Sequence, residues 1–139
     1  MTENKTNYRS LALAAIEAMK KSYSPYSNFT VGAALLTKEG KIYTGANIEN
    51  ASYTPTVCAE RVAIFSAVHA GEREFSAIAI AGGRAGESGK DAFMPCGVCR
   101  QVISEFADKD FVIITALGDS YEAHTLSELL PHSFTKEKL

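Results

Sequence analysis

Pro95-Cys96-Gly97-Val98-Cys99-Arg100 decides how the chain folds, and Thr56-Val57-Cys58-Ala59-Glu60-Arg61 is its counterpart. Between them they hold all three cysteines of a 139-residue sequence. Cys96 and Cys99 open an apolar, helix-like run, Val102 to Phe106. Cys58 follows the helix-start signal Thr54-Pro55-Thr56 and precedes the apolar run Val62 to Val68, which stops at Gly71. Side chains three apart share one face of a helix, and those of a first turn tilt back toward its N-terminus. There the helix dipole and the free N–H groups favour thiolate. Two such starts facing each other bring three sulfurs to one point. That donor set suits zinc held by three protein ligands with a fourth position open.

Working outward, the flanking segments predict the rest of the fold. Tyr8 to Lys21 has a helical stripe of Leu11, Ala15, Ala18 and Met19. Ser22 to Asn28 reads as a loop. Phe29 to Leu36 and Lys41 to Ile48 read as a hairpin turning at Lys38-Glu39-Gly40. Ala77 to Ala81 is a short apolar strand, and Gly82 to Met94 a glycine-rich charged loop. Phe111 to Ala116 and Tyr121 to Thr125 are strands on either side of a turn at Gly118-Asp119-Ser120. Thr125-Leu126-Ser127-Glu128 has the spacing of a capping box, opening a short helical segment through Leu130. The order αββαβαββα predicts a three-layer α/β/α sandwich on a mixed five-stranded sheet, residues 1–139 forming one domain. The strand-helix-strand-helix-strand middle should run parallel with right-handed crossovers, helices covering both faces. Both cysteine helices then start at one end of the sheet, where open α/β sheets place their sites.

Composition narrows the function. Fourteen Lys and Arg against sixteen Asp and Glu give a net charge of −2 with no basic block, which argues against a nucleic-acid partner. Apolar content of 46% belongs to a packed core. No apolar run reaches the length of a membrane span. Met1 to Arg9 is polar and carries no apolar signal core, so a cytoplasmic location with reduced thiols is expected.

Each candidate residue also has a plainer reading. Cys58, Cys96 and Cys99 could be core cysteines, or could hold a closed structural zinc. The latter needs a fourth ligand, and His69, at the far end of its helix, should not reach. Glu60 could be a solvated first-turn acid. Beside a metal and a water it becomes a general base and then a general acid. Three thiolates leave one zinc with a formal excess of negative charge. Arg61 and Arg100, each following a cysteine, could offset it by donating to sulfur, or could form surface ion pairs.

Cys58-Ala59-Glu60 followed by Pro95-Cys96-Gly97-Val98-Cys99-Arg100 resembles the zinc-dependent cytidine deaminases. The likeness runs from Tyr26-Ser27-Asn28-Phe29 to Leu129-Leu130-Pro131. It implies one zinc per chain on Cys58, Cys96 and Cys99, with Glu60 as the catalytic acid–base. It further implies that Phe29 stacks on the pyrimidine, that Asn47 and Glu49 bind the ribose hydroxyls, and that the Ala59 N–H donates to the pyrimidine carbonyl. In three-cysteine members of the family the position of Arg61 pairs with a cysteine sulfur. Small members are homotetramers that lend a C-terminal Phe to a neighbouring site, and Phe134 is the candidate here. The implied reaction is hydrolysis of cytidine and deoxycytidine to uridine and deoxyuridine with release of ammonia. Rivals are a deaminase of the same fold acting on an aminonucleoside antibiotic or a nucleotide, and a zinc-stabilised binding module. Without that resemblance, Phe29 reads as core, and Asn47 and Glu49 as strand-end turn residues. Sequence assigns no role to Gly82 to Met94.

Overall fold

The computed structural model describes residues 2–87 and 89–139, those of 2–7 as backbone. Met1 of the polar N-terminal segment and Ser88 of the glycine-rich loop lie outside the described residues. Among these, the chain runs α1 (Thr2–Ala18), β1 (Phe29–Thr37), β2 (Ile42–Ala46), α2 (Ala59–His69), β3 (Phe75–Arg84), α3 (Gly97–Phe106), β4 (Val112–Leu117), β5 (Ser120–Thr125) and α4 (Leu126–Leu129). The strands form one mixed sheet in the order β2-β1-β3-β4-β5. β1 is antiparallel to both β2 and β3, β3 is parallel to β4, and β5 returns antiparallel to β4. β2, β3 and β4 therefore point the same way, as the sequence order predicts. α2 and α3 start at the end toward which those three strands run.

Period-2 alternation assigns the two faces of the sheet. On β3, Ala77, Ala79 and Ala81 face α1, where they join Leu11, Ala12, Ala15 and Met19. Ile78 and Ile80 face the other way and pack with Ala59, Ala63, Ile64 and Ala67 of α2 and Ile103 of α3. Small residues bring the helices close. A Cβ on Gly32 would lie 2.1 Å from the Ala15 carbonyl oxygen, and one on Gly45 would lie 2.5 Å from the Ala63 nitrogen. α1 and α2 thus touch opposite faces of the β1–β2 hairpin backbone to backbone, and α2 is placed by that contact.

Two boundaries differ most from the sequence reading. α1 starts well before Tyr8, because extending a formed helix through polar residues costs far less than starting one. β3 runs on through Gly82 and Gly83, which the glycine content had assigned to a loop. These glycines pair with Val31 and Thr30 of β1. A Cβ at Gly82 would lie 2.8 Å from the Phe93 ring, so the residue clears room for that side chain. The capping box forms in full: Thr125 accepts from the Glu128 N–H and the Glu128 carboxylate accepts from the Thr125 N–H.

Candidate metal centre and active site

The connection from β2 to α2 is built to deliver Cys58. Asn47, Ile48 and Glu49 leave β2 and are held between two partners. Ile48 exchanges backbone hydrogen bonds with Val57 at 3.0 and 2.9 Å. On the other side the Tyr23 N–H donates to the Asn47 carbonyl at 3.0 Å, and the Glu49 N–H to the Tyr23 carbonyl at 2.8 Å. Cys58, next in sequence to Val57, is the N-cap of α2, and Cys96 is the N-cap of α3. The Cys96 sulfur accepts from the Cys99 N–H at 3.5 Å, a thiol in the place of the usual capping oxygen.

The three sulfurs lie within 4.8 Å of one another. Two thiolates bound at ~2.3 Å to one tetrahedral ion stand ~3.8 Å apart. The Cys58 and Cys96 sulfurs are 3.8 Å apart, so the residues fit one zinc ion per chain. Exposure is graded: Cys99 is buried, Cys58 half-buried and Cys96 exposed. A hydrogen bond from the Cys99 thiol, then those from Arg61 and Cys96, hold the Cys58 thiol down to about 5 against its burial. The same Cys58 contact, followed by burial and the nearby Glu60, pushes Cys99 far above the ordinary thiol range. Sulfurs this close cannot all ionise unless a cation sits among them.

Glu60 stands outside that donor set, with its carboxyl against the Cys99 thiol and its own backbone N–H. It is 4% exposed, so the reading as a solvated first-turn acid does not hold. Burial pushes its carboxyl up to about 7, with the neighbouring Cys58 charge adding to the rise. A group poised near neutrality can both take and give a proton. Ala59 is fully buried at the first position of α2, where an N–H has no acceptor within the helix.

The two arginines part company. Arg61 Nη2 donates to the Cys58 sulfur at 3.4 Å. Arg100 touches no sulfur. Its Nε donates to the Pro95 carbonyl at 2.7 Å and its Nη1 to the Leu129 carbonyl at 2.6 Å. This corrects the expectation that Arg100 offsets the thiolate charge directly. Its position at the second turn of α3 aims it at the two chain segments that need a donor, the loop before Cys96 and the end of α4.

Phe29 is half-buried on the face of the sheet shared with α2 and α3, in register with Arg84. The Arg84 guanidinium lies 5.0 Å from its ring centroid, and the Phe93 ring 6.1 Å away. Asn47 is 9% exposed. Its Oδ1 accepts from the Val31 N–H at 2.9 Å and from the Ser22 hydroxyl at 2.5 Å, and its Nδ2 donates to the Phe29 carbonyl at 3.0 Å. Glu49 accepts from the Tyr26 and Ser27 N–H groups at 3.0 and 3.1 Å and from the Ser27 hydroxyl. The Ser27 contact is the first cause that holds the Glu49 carboxyl below its usual range. Glu49 also lines a cavity of about 390 Å³ with Tyr26, Asn50, Tyr53 and Thr56. A cavity of about 650 Å³ between Phe75 and Phe106 lies at the opposite end of the sheet and contains none of these residues. Phe134 is 61% exposed on the tail, where its carbonyl accepts from Gln101 of α3 at 2.8 Å.

Ser22, Ser27, Arg84 and Phe93 escaped the sequence reading as site residues. Their partners lie up to tens of residues away and follow no local spacing.

Known proteins are similar to this chain over most of its length. A cytidine deaminase from Halalkalibacterium halodurans is 48% identical over 127 residues, 90% of this chain and 92% of its own. One from Sporosarcina psychrophila is 47% identical over 124 residues, 88% of each chain. The crystal structure of cytidine deaminase from Burkholderia pseudomallei superposes with a TM-score of 0.80 at 44% identity, covering 90% of this chain and 97% of its own. The sequence profile described as the cytidine and deoxycytidylate deaminase zinc-binding region matches residues 5–115, and with the three sulfurs and the buried Glu60 already in place, the chain belongs to that family.

Proposed function

We propose that this enzyme hydrolyses cytidine and deoxycytidine to uridine and deoxyuridine with release of ammonia, as a step of pyrimidine salvage. The observation that carries the reading is Glu60, buried beside three converging sulfurs at the start of α2. Cys58, Cys96 and Cys99 hold the ion, which when bound supplies a Lewis acid that activates water at neutral pH. Glu60 takes a proton from the attacking water as it adds to C4 of the pyrimidine. It passes that proton to N3, then takes the proton of the hydroxyl now on C4 and hands it to the departing amine. The C4–N bond breaks as the carbonyl forms, and the leaving group is neutral ammonia. The Ala59 N–H donates to the pyrimidine carbonyl, and Phe29 faces the ring. Asn47 and Glu49 meet the sugar hydroxyls. Arg61, donating to the Cys58 sulfur, draws off part of the excess thiolate charge.

The substrate is a free nucleoside, because a carboxylate at the sugar repels a phosphate. The working unit is a homotetramer in the cytoplasm. The outward Phe134 ring supports a site completed by a neighbour, as do Tyr53 at 71%, Phe65 at 48% and Val98 at 57% exposure. Among the described residues no helix is long and apolar enough to cross a membrane.

The decisive experiment follows cytidine absorbance and ammonia release with purified protein. Loss of cytidine with equimolar ammonia is the expected result. Binding without ammonia would leave a zinc-stabilised binding module. Cytidine monophosphate should react poorly beside cytidine. Light scattering should find the active species at about four times the 15.0 kDa of one chain, and an active single chain would overturn the shared site.

A further inference from the structure

The polar network between the end of α1 and the start of β1 contains a residue that the family resemblance does not assign. The Ser22 hydroxyl lies 2.5 Å from Asn47 Oδ1 and 3.1 Å from the Ser24 hydroxyl. The orientation of the Asn47 amide follows from its backbone partners. The Val31 N–H can only donate, so the atom it meets is Oδ1, and the Phe29 carbonyl can only accept, so the atom it meets is Nδ2. Oδ1 being acceptor-only, the Ser22 proton points at Asn47, and Ser24 donates to Ser22.

Counting valences shows the consequence. Both lone-pair positions of Oδ1 are filled, by Val31 and Ser22, and one of the two Nδ2 protons is taken by Phe29. One N–H is left. Asn47 can therefore present a single donor and no acceptor. Glu49, two residues on, presents only acceptor sites. Ser22 is itself held in place. Its N–H donates to the Met19 carbonyl just past α1, and the next residue, Tyr23, pairs with Asn47 and Glu49 through its backbone.

We infer that Ser22 is a positioning residue for sugar recognition: its hydroxyl fills the second acceptor site of the Asn47 carboxamide and so fixes the one remaining N–H toward a substrate hydroxyl. This rests on Asn47 and Glu49 meeting the sugar, as proposed above. Removing the Ser22 hydroxyl leaves Oδ1 with an unfilled position in a nearly buried setting. The amide can then tilt, or an entering water or a substrate donor can compete for it. The binding energy of one hydroxyl is lost, while the chemistry at Glu60 is untouched.

The test measures kcat and KM for cytidine, 2′-deoxycytidine and 3′-deoxycytidine with the parent, Ser22→Ala and Ser22→Thr. Zinc content and Tm are followed alongside. The parent should lose kcat/KM on the analogue that lacks the contacted hydroxyl. Ser22→Ala should raise KM roughly 2- to 10-fold wherever that hydroxyl is present, the scale of one net hydrogen bond, with kcat nearly unchanged. On the analogue lacking the hydroxyl the variant and the parent should coincide, and Ser22→Thr should restore the parental KM. A parent that discriminates among the three, beside a Ser22→Ala variant that matches it on cytidine, overturns the role of Ser22 alone. So does a variant whose loss is equal on all three substrates. A parent with equal kcat/KM on all three overturns the sugar reading of Asn47 and Glu49, and this inference with it.

Discussion

The starts of α2 and α3 use nearly the same letters and divide the labour between them. At α2, Cys58 caps the helix, Glu60 is sealed in behind it and Arg61 turns onto the Cys58 sulfur. At α3, Cys96 caps the helix, its sulfur takes the Cys99 N–H, and Arg100 turns away to the Pro95 and Leu129 carbonyls. One start has charge behind the sulfur and a proton carrier beside it. The other has its cation employed in fixing backbone. A cysteine followed by an arginine is therefore an ambiguous phrase. Spacing does not settle its meaning, since Arg61 is three residues past Cys58 and Arg100 four past Cys96, both same-face separations. The partners do, a sulfur for Arg61 and the Pro95 and Leu129 carbonyls for Arg100.

Breaking the shared function should give the largest effect. Cys96→Ala removes one of three metal ligands, a site type that contributes on the order of 10 kcal/mol. Elemental analysis should find zinc lost, and thermal unfolding should show the fold weakened. Next in size, Glu60→Gln separates chemistry from structure at the α2 start. It should keep zinc and Tm while kcat falls about 10²- to 10⁴-fold, and near-parental turnover would make Glu60 a bystander. The two arginines should then diverge. Arg61→Ala should weaken zinc retention about 10- to 100-fold against a chelator and lower kcat, with a small change in Tm. Arg100→Ala should do the reverse, costing about 2–4 kcal/mol of stability through two lost charged hydrogen bonds, with activity per bound zinc retained. If Arg100→Ala instead sheds zinc as readily as Arg61→Ala, the division of labour fails.

What could be read from the sequence follows the range of the forces involved. The order of strands and helices along the chain, both cysteine helices and the capping box at Thr125 were legible, because alternation, helix starts and caps are local patterns. The three sulfurs were legible because each sits at a helix start, and the topology brings both starts to one end of the sheet. Gly82 and Gly83 misled, because a glycine that clears space for Phe93 looks the same as one in a loop. Arg100 misled because its partners, Pro95 and Leu129, offer only backbone, which carries no residue-specific signal. Ser22 went unread for a similar reason: it meets Asn47 across 25 residues of sequence.

The order β2-β1-β3-β4-β5 carries a consequence in time. β1–β2 and β4–β5 are hairpins with short turns, and hairpins close in about 1–10 μs. β3 joins them, and its pairings with β1 and β4 are long-range closures of the kind that slows folding. Cys58 precedes β3, while Cys96 and Cys99 follow it. The three sulfurs cannot meet until β3 is seated, so zinc arrives at a nearly finished protein. It then acts as a latch and not as a template: added zinc should leave the refolding rate unchanged and slow unfolding, which stopped-flow measurements in both directions would reveal.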